Sequence, residues 1–323
     1  MGEILGIGVT HFPGMLLPDA YMSSFLTRTL KSERVPAEMK QPARWPEPLR
    51  QELAANQDGK AAAEHRRRLV AGFRKAREAL DASDCRPFGR PGRSEQGNVW
   101  GEAPDKVVGV EGHRAAGCYL AGELIKSDFD VSYAYTMRHE LGLPHAFINT
   151  ILFLDYDRRG FGYPVVPFHV NCYGSSVIAK RGSSAHLTGG ADPNAVDPPG
   201  PNPHRCFDVG AAVARVLADS PWRVALVASS SWSHAFLTAK HHWIYPDVAS
   251  DRARFDELAS GNFARWRNLT TAQIEDAGQQ EFLNWVCLAG AMDALGRKAE
   301  IIDYVESYLF NSDKCFALFR PAD

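Results

Sequence analysis

The chain has 323 residues, of which 45% are hydrophobic and 23% are charged, as is ordinary for a globular protein. Its formal net charge of -2 provides no overall positive field, so we expect no nucleic-acid partner and no attraction to an acidic membrane surface. No apolar run reaches the length that a transmembrane helix needs, so we expect no membrane partner either.

The cysteines are spread along the chain without a CxxC pair, which favours reduced thiols over a disulfide framework or a zinc site. They are Cys85, Cys118, Cys172, Cys206, Cys287 and Cys315. The N-terminal run also lacks the basic start and the long apolar core of a signal peptide. Together these two observations predict a cytoplasmic protein.

From the N-terminus onward, apolar runs of strand length alternate with segments of helical periodicity. The predicted strands span residues 4–10, 129–135, 163–170, the apolar run that begins at 224, 304–309 and 315–319. The predicted helices span 58–80, 112–126, 144–153, 207–217, 249–258 and 280–295. This alternation predicts a single α/β domain over residues 1–323, with a central mixed β-sheet flanked by helices and a helix-rich C-terminal part.

Two segments do not follow the alternation. Residues 83–104 are rich in Gly, Pro and charge, and they form an atypical loop where an α/β chain is expected to return to a buried strand. Residues 181–204 form a second irregular excursion, rich in Gly, Pro and Asp. A long loop without periodicity inside a compact domain is unusual, so we expect the first segment to depart from a regular α/β pattern.

Three polar side chains stand at positions where an α/β sheet places ligands. His11 and His234 each follow a predicted buried strand, and the carboxyl ends of such strands meet at one edge of the sheet. Glu281 begins an otherwise apolar helix, where the helix dipole favours a carboxylate. Taken singly, a loop histidine is usually just solvated, and Glu281 is explained equally well by simple charge placement. Two histidines and one carboxylate nevertheless match the facial triad of non-haem Fe(II) oxygenases.

Several short motifs resemble the type III extradiol ring-cleavage dioxygenases, in order and in spacing. The main ones are Gly6–Gly14 (GIGVTHFPG), Ser231–His234 (SWSH) and Ala277–Trp285 (AGQQEFLNW). Further agreement comes from Pro167–Asn171 (PFHVN), Arg205–Gly210 (RCFDVG) and Gly290–Met292 (GAM). Each motif is weak alone, but together they extend along the chain from end to end, apart from the atypical loop.

The resemblance implies roles for four residues. His11 and Glu281 would be ligands of Fe(II), and His234 would be the acid/base residue beside the metal. His139 resembles a second active-site histidine that contacts the substrate, although a surface loop position explains it equally well. The implied reaction is cleavage of a catecholic ring beside its two hydroxyls, with O₂ supplying both inserted oxygen atoms. The implied partners are thus a small aromatic diol and O₂.

One family feature has no evident position in this sequence. The family's remaining metal-binding histidine follows a strand that would fall within residues 83–104, and this segment contains no histidine. The spare candidates are His113, His139 and His145, of which His113 is better explained as an exposed or capping residue at a helix start. A site with two protein ligands holds iron weakly, so we expect metal binding to be impaired.

Two other function classes stay open on the sequence alone. The chain could be a non-catalytic relative that keeps a cleft for a small aromatic molecule or a protein partner. It could also be a metal-dependent hydrolase that uses the same histidines and carboxylate on zinc. Four cations or histidines could contact a substrate carboxylate, namely Arg138, Lys240, His241 and His242. The apolar C-terminal part could supply the interface of a homo-oligomer.

Overall fold

A computed structural model describes residues 4–10, 26, 29–57, 59–83, 91–95, 107–135, 143–174, 177 and 198–321. Its strands are β1 (Ile4–Val9), β2 (Pro91–Glu95), β3 (Val107–Glu111), β4 (Val224–Ser229), β5 (Glu300–Val305) and β6 (Lys314–Phe319). Its helices are α1 (Glu47–Ala55), α2 (Lys60–Ala82), α3 (Arg114–Lys126), α4 (His145–Leu154), α5 (Pro203–Ala218), α6 (Val248–Ala259), α7 (Thr271–Asp276) and α8 (Leu283–Ala294). Short 3₁₀ helices cover Ala37–Lys40, Pro42–Arg44, Ala235–Leu237, Ala239–His241, Phe263–Asn268 and Gln280–Phe282.

The main sheet has four strands in the order β4-β1-β6-β5. β1 pairs in parallel with β4, with Val9 opposite Ser229, and it pairs antiparallel with β6 on its other side. β5 pairs antiparallel with β6. The predicted fold class is therefore confirmed: the structure is α/β, with a central mixed sheet flanked by helices. The C-terminal part is helix-rich, as expected.

The glycines of β1 let helix α8 lie directly against the sheet. A Cβ atom at Gly6 would overlap the thioether of Met292, and a Cβ atom at Gly8 would overlap the indole of Trp285. Because side chains alternate across a strand, both glycines face the same side. This face belongs to the largest hydrophobic cluster, which α5 and α8 share with the sheet.

The opposite face of β1 carries large side chains. Leu5, Ile7 and Val9 are buried and pack with Phe73 of α2 and Phe153 of α4. The two phenylalanine rings stack at 4.7 Å between centroids. Described side chains thus cover both faces of β1, and in open α/β sheets ligands bind beyond the carboxyl ends of the strands.

Two predicted strands are absent from the described structure. Residues 129–135 and 163–170 have no regular strand, apart from a single bridge between Gly112 and Val165. Four of their apolar side chains still pack against the main core, namely Phe129, Val131, Phe168 and Val170. An apolar pattern typical of strands can arise from partial burial as well as from backbone pairing in a sheet. The packing of these side chains against the core therefore explains the pattern even though no strand forms.

In the part of the atypical loop that the structure describes, one segment differs from the prediction. Residues 91–95 of the predicted 83–104 loop form β2, which pairs antiparallel with β3 in a separate two-stranded sheet. The sequence PGRSE has no β pattern of its own, and its partner is the valine-rich β3. Of the second excursion, residues 198–202 are irregular as expected, while α5 begins at Pro203. Within the described residues, no helix is both long and apolar enough to cross a membrane.

Candidate active site

The candidate site lies at the edge of the main sheet where β1 and β4 end. Because Val9 is opposite Ser229, the segments that follow these two parallel strands leave the sheet side by side. Thr10 is tied to the first residues of β6, since its backbone N–H donates to the carbonyl of Cys315 at 3.1 Å. The connection between β5 and β6 therefore reaches the same edge, and three chain segments meet there.

His234 is held by the loop that follows β4. Trp232 is fully buried, and its ring meets those of Trp285 and Phe282 edge-on at 5.4 Å and 5.3 Å between centroids. This anchor fixes the chain two residues before His234. The backbone N–H of His234 then donates to the carbonyl of Gly278 at 3.0 Å. As a result the imidazole is placed by both neighbouring segments, with only 4% of its side chain exposed.

Gly278 permits this close approach. Its φ of +67° lies in the left-handed region, and an added Cβ would lie 2.7 Å from the hydroxyl oxygen of Thr238. Any other residue would meet both backbone strain and a clash, so glycine is required here. The turn that Gly278 makes leads directly into the 3₁₀ helix that carries Glu281.

The carboxylate of Glu281 is surrounded by three groups, one from Tyr173 and two from the loop that follows β4. The hydroxyl of Tyr173 donates to its Oε1, and the backbone N–H of Ser231 donates to its Oε2 at 3.2 Å. Nε2 of His234 lies 3.4 Å from the same Oε2. About a fifth of the Glu281 side chain, 20%, stays exposed. The predicted pair of His234 and Glu281 is thus brought together at the sheet edge.

Tyr173 was not identified from the sequence as a site residue. Burial raises the pKa of its phenol, and the nearby Glu281 carboxylate raises it further. The hydroxyl therefore keeps its proton and acts as a hydrogen-bond donor to Glu281. The available signal was its position just after the apolar run 163–170, in the same place relative to a strand-like segment as His11 and His234.

The second nitrogen of the His234 ring faces Asn311. Nδ2 of Asn311 lies 3.2 Å from Nδ1 of His234, and the carbonyl of Asn311 accepts from the backbone N–H of Ala235 at 2.9 Å. The sequence indicates only a turn at Asn311, because Asn, Ser and Asp follow one another there. Both imidazole nitrogens consequently have a neighbour within the described structure.

Asp251 lies on the other side of the His234 loop and was also not anticipated. It is fully buried and accepts from the backbone N–H and the hydroxyl of Ser233 at 3.0 Å and 2.6 Å. The side-chain amide of Gln279 donates to it at 2.6 Å. Burial raises the pKa of Asp251 to about 7, although its hydrogen bonds act in the opposite direction. Asp251 thereby joins the residue before His234 to the segment before Glu281.

Residues 193–312 match the family model described as the catalytic LigB subunit of aromatic ring-opening dioxygenase. This match confirms the predicted resemblance to the ring-cleaving dioxygenases. The matched segment covers 120 of the 323 residues and contains His234, Glu281 and Asn311, whereas Tyr173 and β1 lie before it. No curated protein matches the chain.

The other ligands and contacts that the dioxygenase resemblance implies fall largely outside the described residues. His11 and His139 lie there, as does Arg138, so their predicted roles stay predictions. His145 begins α4, and its side chain is likewise not described. Among the described residues, no three His, Cys, Asp or Glu side chains are grouped closely enough to hold a metal ion.

Three of the remaining candidate residues have structural partners. Nδ1 of His113 accepts from the backbone N–H of Ala116 at 3.1 Å, so His113 is a helix cap, as expected. Lys240 lies 2.7 Å from a carboxylate oxygen of each of two aspartates, Asp247 and Asp276. Nδ1 of His241 lies 3.2 Å from the carbonyl of Pro246. Lys240 is thus engaged by two carboxylates within the protein, which weakens its case as a substrate contact.

Proposed function

We propose that the protein is an extradiol ring-cleavage dioxygenase that opens a catecholic ring with Fe(II) and O₂. The observation that carries this proposal is the pair of His234 and Glu281, 3.4 Å apart at the carboxyl edge of the sheet. Both residues lie within the segment that matches the ring-opening dioxygenase model. A carboxylate beside a buried imidazole can supply one metal ligand and one proton-transfer group, which are two of the functions that this reaction requires.

The donor set fits a ferrous ion in part. Glu281 offers a carboxylate that is partly exposed, and Thr10 places the end of β1 at the same edge, one residue before His11. We propose that His11 and Glu281 hold the metal. When bound, Fe(II) would provide the position at which both oxygens of the diol and O₂ are held together.

The protein's own groups then have distinct tasks. Nε2 of His234 would accept a proton from a substrate hydroxyl, a task that suits an imidazole because its ordinary pKa lies near neutral pH. Tyr173 and the backbone of Ser231 hold Glu281 so that its carboxylate keeps a fixed direction. Burial of His234 limits the access of water to the proton that it takes.

We further propose that metal binding is impaired, because the family's second histidine ligand has no counterpart in residues 83–104. Metal analysis after anaerobic loading with Fe(II) and desalting tests this idea. The expected result is substoichiometric iron that is lost on dilution. Stoichiometric iron that survives desalting would show that a further residue completes the site.

The activity is tested by supplying a panel of catechols and Fe(II) in air. Cleavage beside the diol gives a yellow ring-fission product, and O₂ uptake should match product formation one to one. Heat-denatured protein with the same Fe(II) measures oxidation by free iron. Glu281→Gln is the matched variant and should show only that background rate.

The same assay separates the other function classes. A non-catalytic relative would bind a catechol, as followed by calorimetry, without consuming O₂. A hydrolase would release product from ester or amide substrates after loading with Zn²⁺, and this reaction would not need O₂. Either result, with no ring-fission product at any Fe(II) concentration, would contradict the dioxygenase proposal.

A further inference from the structure

Asn311 lies in the connection between β5 and β6 and touches the residue pair His234 and Ala235 twice. Its backbone carbonyl accepts from Ala235, and its side-chain amide lies against Nδ1 of the His234 ring. Only 2% of the residue is exposed. A buried polar side chain that contacts a single ring nitrogen is a candidate for fixing the orientation of that ring.

The turn that carries Asn311 is rigidly held. Asp313 accepts from the hydroxyl of Tyr304 at 2.7 Å and from the backbone N–H of Ser307 at 2.8 Å, and all three residues belong to this connection or its flanking strand. The buried ammonium of Lys314 donates to the carbonyl of Ser312. Asn311 is therefore placed by the residues on both sides of it, and its amide stays within reach of His234.

The backbone of Asn311 restricts which residue can stand there. Its φ of +65° lies in the left-handed region, which Gly, Asn and Asp adopt more readily than other residues. Among these three, only asparagine carries both a hydrogen-bond donor and an acceptor on its side chain. A turn alone would be satisfied by glycine, so the amide itself calls for a different explanation.

The two nitrogens of the imidazole have different neighbours. Nε2 faces the carboxylate of Glu281, and Nδ1 faces the side-chain amide of Asn311. With its N–H toward the ring, that amide can donate to an unprotonated Nδ1. If the amide turned over, its Oδ1 would accept from a hydrogen on Nδ1 and would leave Nε2 with a lone pair. Among the described residues, Oδ1 of Asn311 has no other hydrogen-bond partner.

We propose that Asn311 is the positioning residue of His234, whose amide binds Nδ1 and so keeps the Nε2 side of the ring directed at Glu281 and the substrate site. The two ends of the amide match the two neutral forms of the ring, so the same residue supports His234 as a proton donor and as a proton acceptor. The effect on turnover rests on the proposed dioxygenase function, whereas the effect on the ring does not.

The ring itself is tested by NMR on metal-free protein that contains nitrogen-15-labelled histidine, at one fixed pH. His234→Gln identifies the His234 signals, and those of His113 serve as an internal reference because its Nδ1 accepts from a backbone N–H. In the unsubstituted protein, Nδ1 of His234 should show the shift of a hydrogen-bonded nitrogen. Asn311→Asp, which offers only acceptors, should move that shift toward a protonated nitrogen. Asn311→Gly, which suits the positive φ but carries no amide, should give the shift of a nitrogen without that hydrogen bond.

The outcomes separate this proposal from the proposed function. If both Asn311 variants keep the unsubstituted nitrogen shifts of His234, the proposal is overturned. In Fe(II)-loaded protein, Asn311→Gly should lower kcat by roughly 10–100-fold with little change in KM or iron content. If the His234 nitrogen shifts change but kcat does not, the positioning role of Asn311 in turnover is overturned. If the unsubstituted protein shows no turnover, the result counts against the dioxygenase function. The NMR shifts of His234 would then decide by themselves whether Asn311 positions the ring.

Discussion

Glu281 and Asp251 are two carboxylates that bind the same short loop with different consequences. Glu281 accepts from the backbone of Ser231, and Asp251 accepts from the backbone of Ser233, two residues further along. Asp251 is fully buried, whereas 20% of the Glu281 side chain is exposed. His234 follows directly after this loop, so both carboxylates help to place the same imidazole.

The difference lies in what occupies the carboxylate oxygens. The oxygens of Asp251 are taken up by Ser233 and Gln279, which are groups with no evident chemistry of their own. Those of Glu281 face Tyr173 and Nε2 of His234 as well as the backbone N–H of Ser231. A carboxylate that is saturated by structural donors holds the fold together, while one that faces an imidazole and solvent can bind a ligand.

The largest expected effect is the loss of metal from Glu281→Gln. An amide has no negative charge to offer a divalent cation. Mutation of a residue that only hydrogen-bonds to a metal ligand lowers metal affinity by roughly 10–100-fold, and loss of the ligand itself should lower the iron affinity by more than that. Turnover should be lost with it, and the free energy of unfolding should change little. Metal analysis and chemical denaturation measure the two effects on the same preparation. Glu300→Gln, on β5 at an exposed ion pair with Arg320, is the matched control and should keep the iron affinity of the unsubstituted protein.

His234→Ala should separate proton transfer from metal binding. Removal of the imidazole should slow turnover by roughly 10²–10⁴-fold, as is typical for the loss of a general acid or base. Iron content should stay as in the unsubstituted protein, because His234 is proposed to be next to the metal and not bound to it. By contrast, His11→Ala should lose iron. An iron-free His234→Ala protein would make His234 a ligand and reverse the assignment.

Asp251→Ala should affect the fold more than the site. The change leaves the buried N–H and hydroxyl of Ser233 and the amide of Gln279 without their acceptor, which costs about 3 kcal/mol in the free energy of unfolding. Denaturation in urea measures this loss. Asp256→Ala, an exposed position on the same helix, is the matched control and should stay within about 0.5 kcal/mol. If Asp251→Ala and Asp256→Ala lost equal amounts of stability, Asp251 would have no special structural role to set against that of Glu281.

Tyr173→Phe should show how far the metal affinity depends on the orientation of Glu281. Without the phenol, one oxygen of Glu281 loses its donor, and iron affinity should fall by roughly 10-fold. Competition with a coloured chelator measures the affinity. Tyr135→Phe, at a tyrosine that is 78% exposed, should have no effect. Unchanged affinity in Tyr173→Phe would show that the other contacts of Glu281 suffice to hold it.

The sequence predicted the parts of the site that depend on local pattern. The apolar run that begins at Val224 and the start of the helix at Glu281 each place a polar residue where an element begins or ends, and the structure brings His234 and Glu281 together. Asp251 and Asn311 were missed because their importance comes from partners 18 and 77 residues away. The periodicity of a short sequence segment gives no information about contacts between residues so far apart.

The same reason explains the errors in the fold. The strands predicted at 129–135 and 163–170 have apolar patterns that reflect contact with the core, but a strand also requires a neighbouring backbone to pair with. β2 shows the reverse case, because the polar sequence PGRSE forms a strand by pairing with β3. Pairing is decided between segments, whereas the sequence pattern reports on each segment alone.

The last expected effect is a change in how stability depends on pH when Asp251 becomes asparagine. The folded-state pKa of about 7 lies above the ordinary value of 3.8, so the folded protein binds the extra proton more tightly than the unfolded chain does. The contribution of Asp251 to stability should therefore be full below pH 3.8 and fall as the pH rises through about 7. Asp251→Asn cannot lose that proton, so its stability relative to the unsubstituted protein should rise across this window and level off above it. Urea denaturation of both proteins at closely spaced pH values measures the difference. A constant difference would mean that the donors from Ser233 and Gln279 keep Asp251 ionised throughout, and the contrast with Glu281 would then rest on exposure and on the neighbours of each carboxylate.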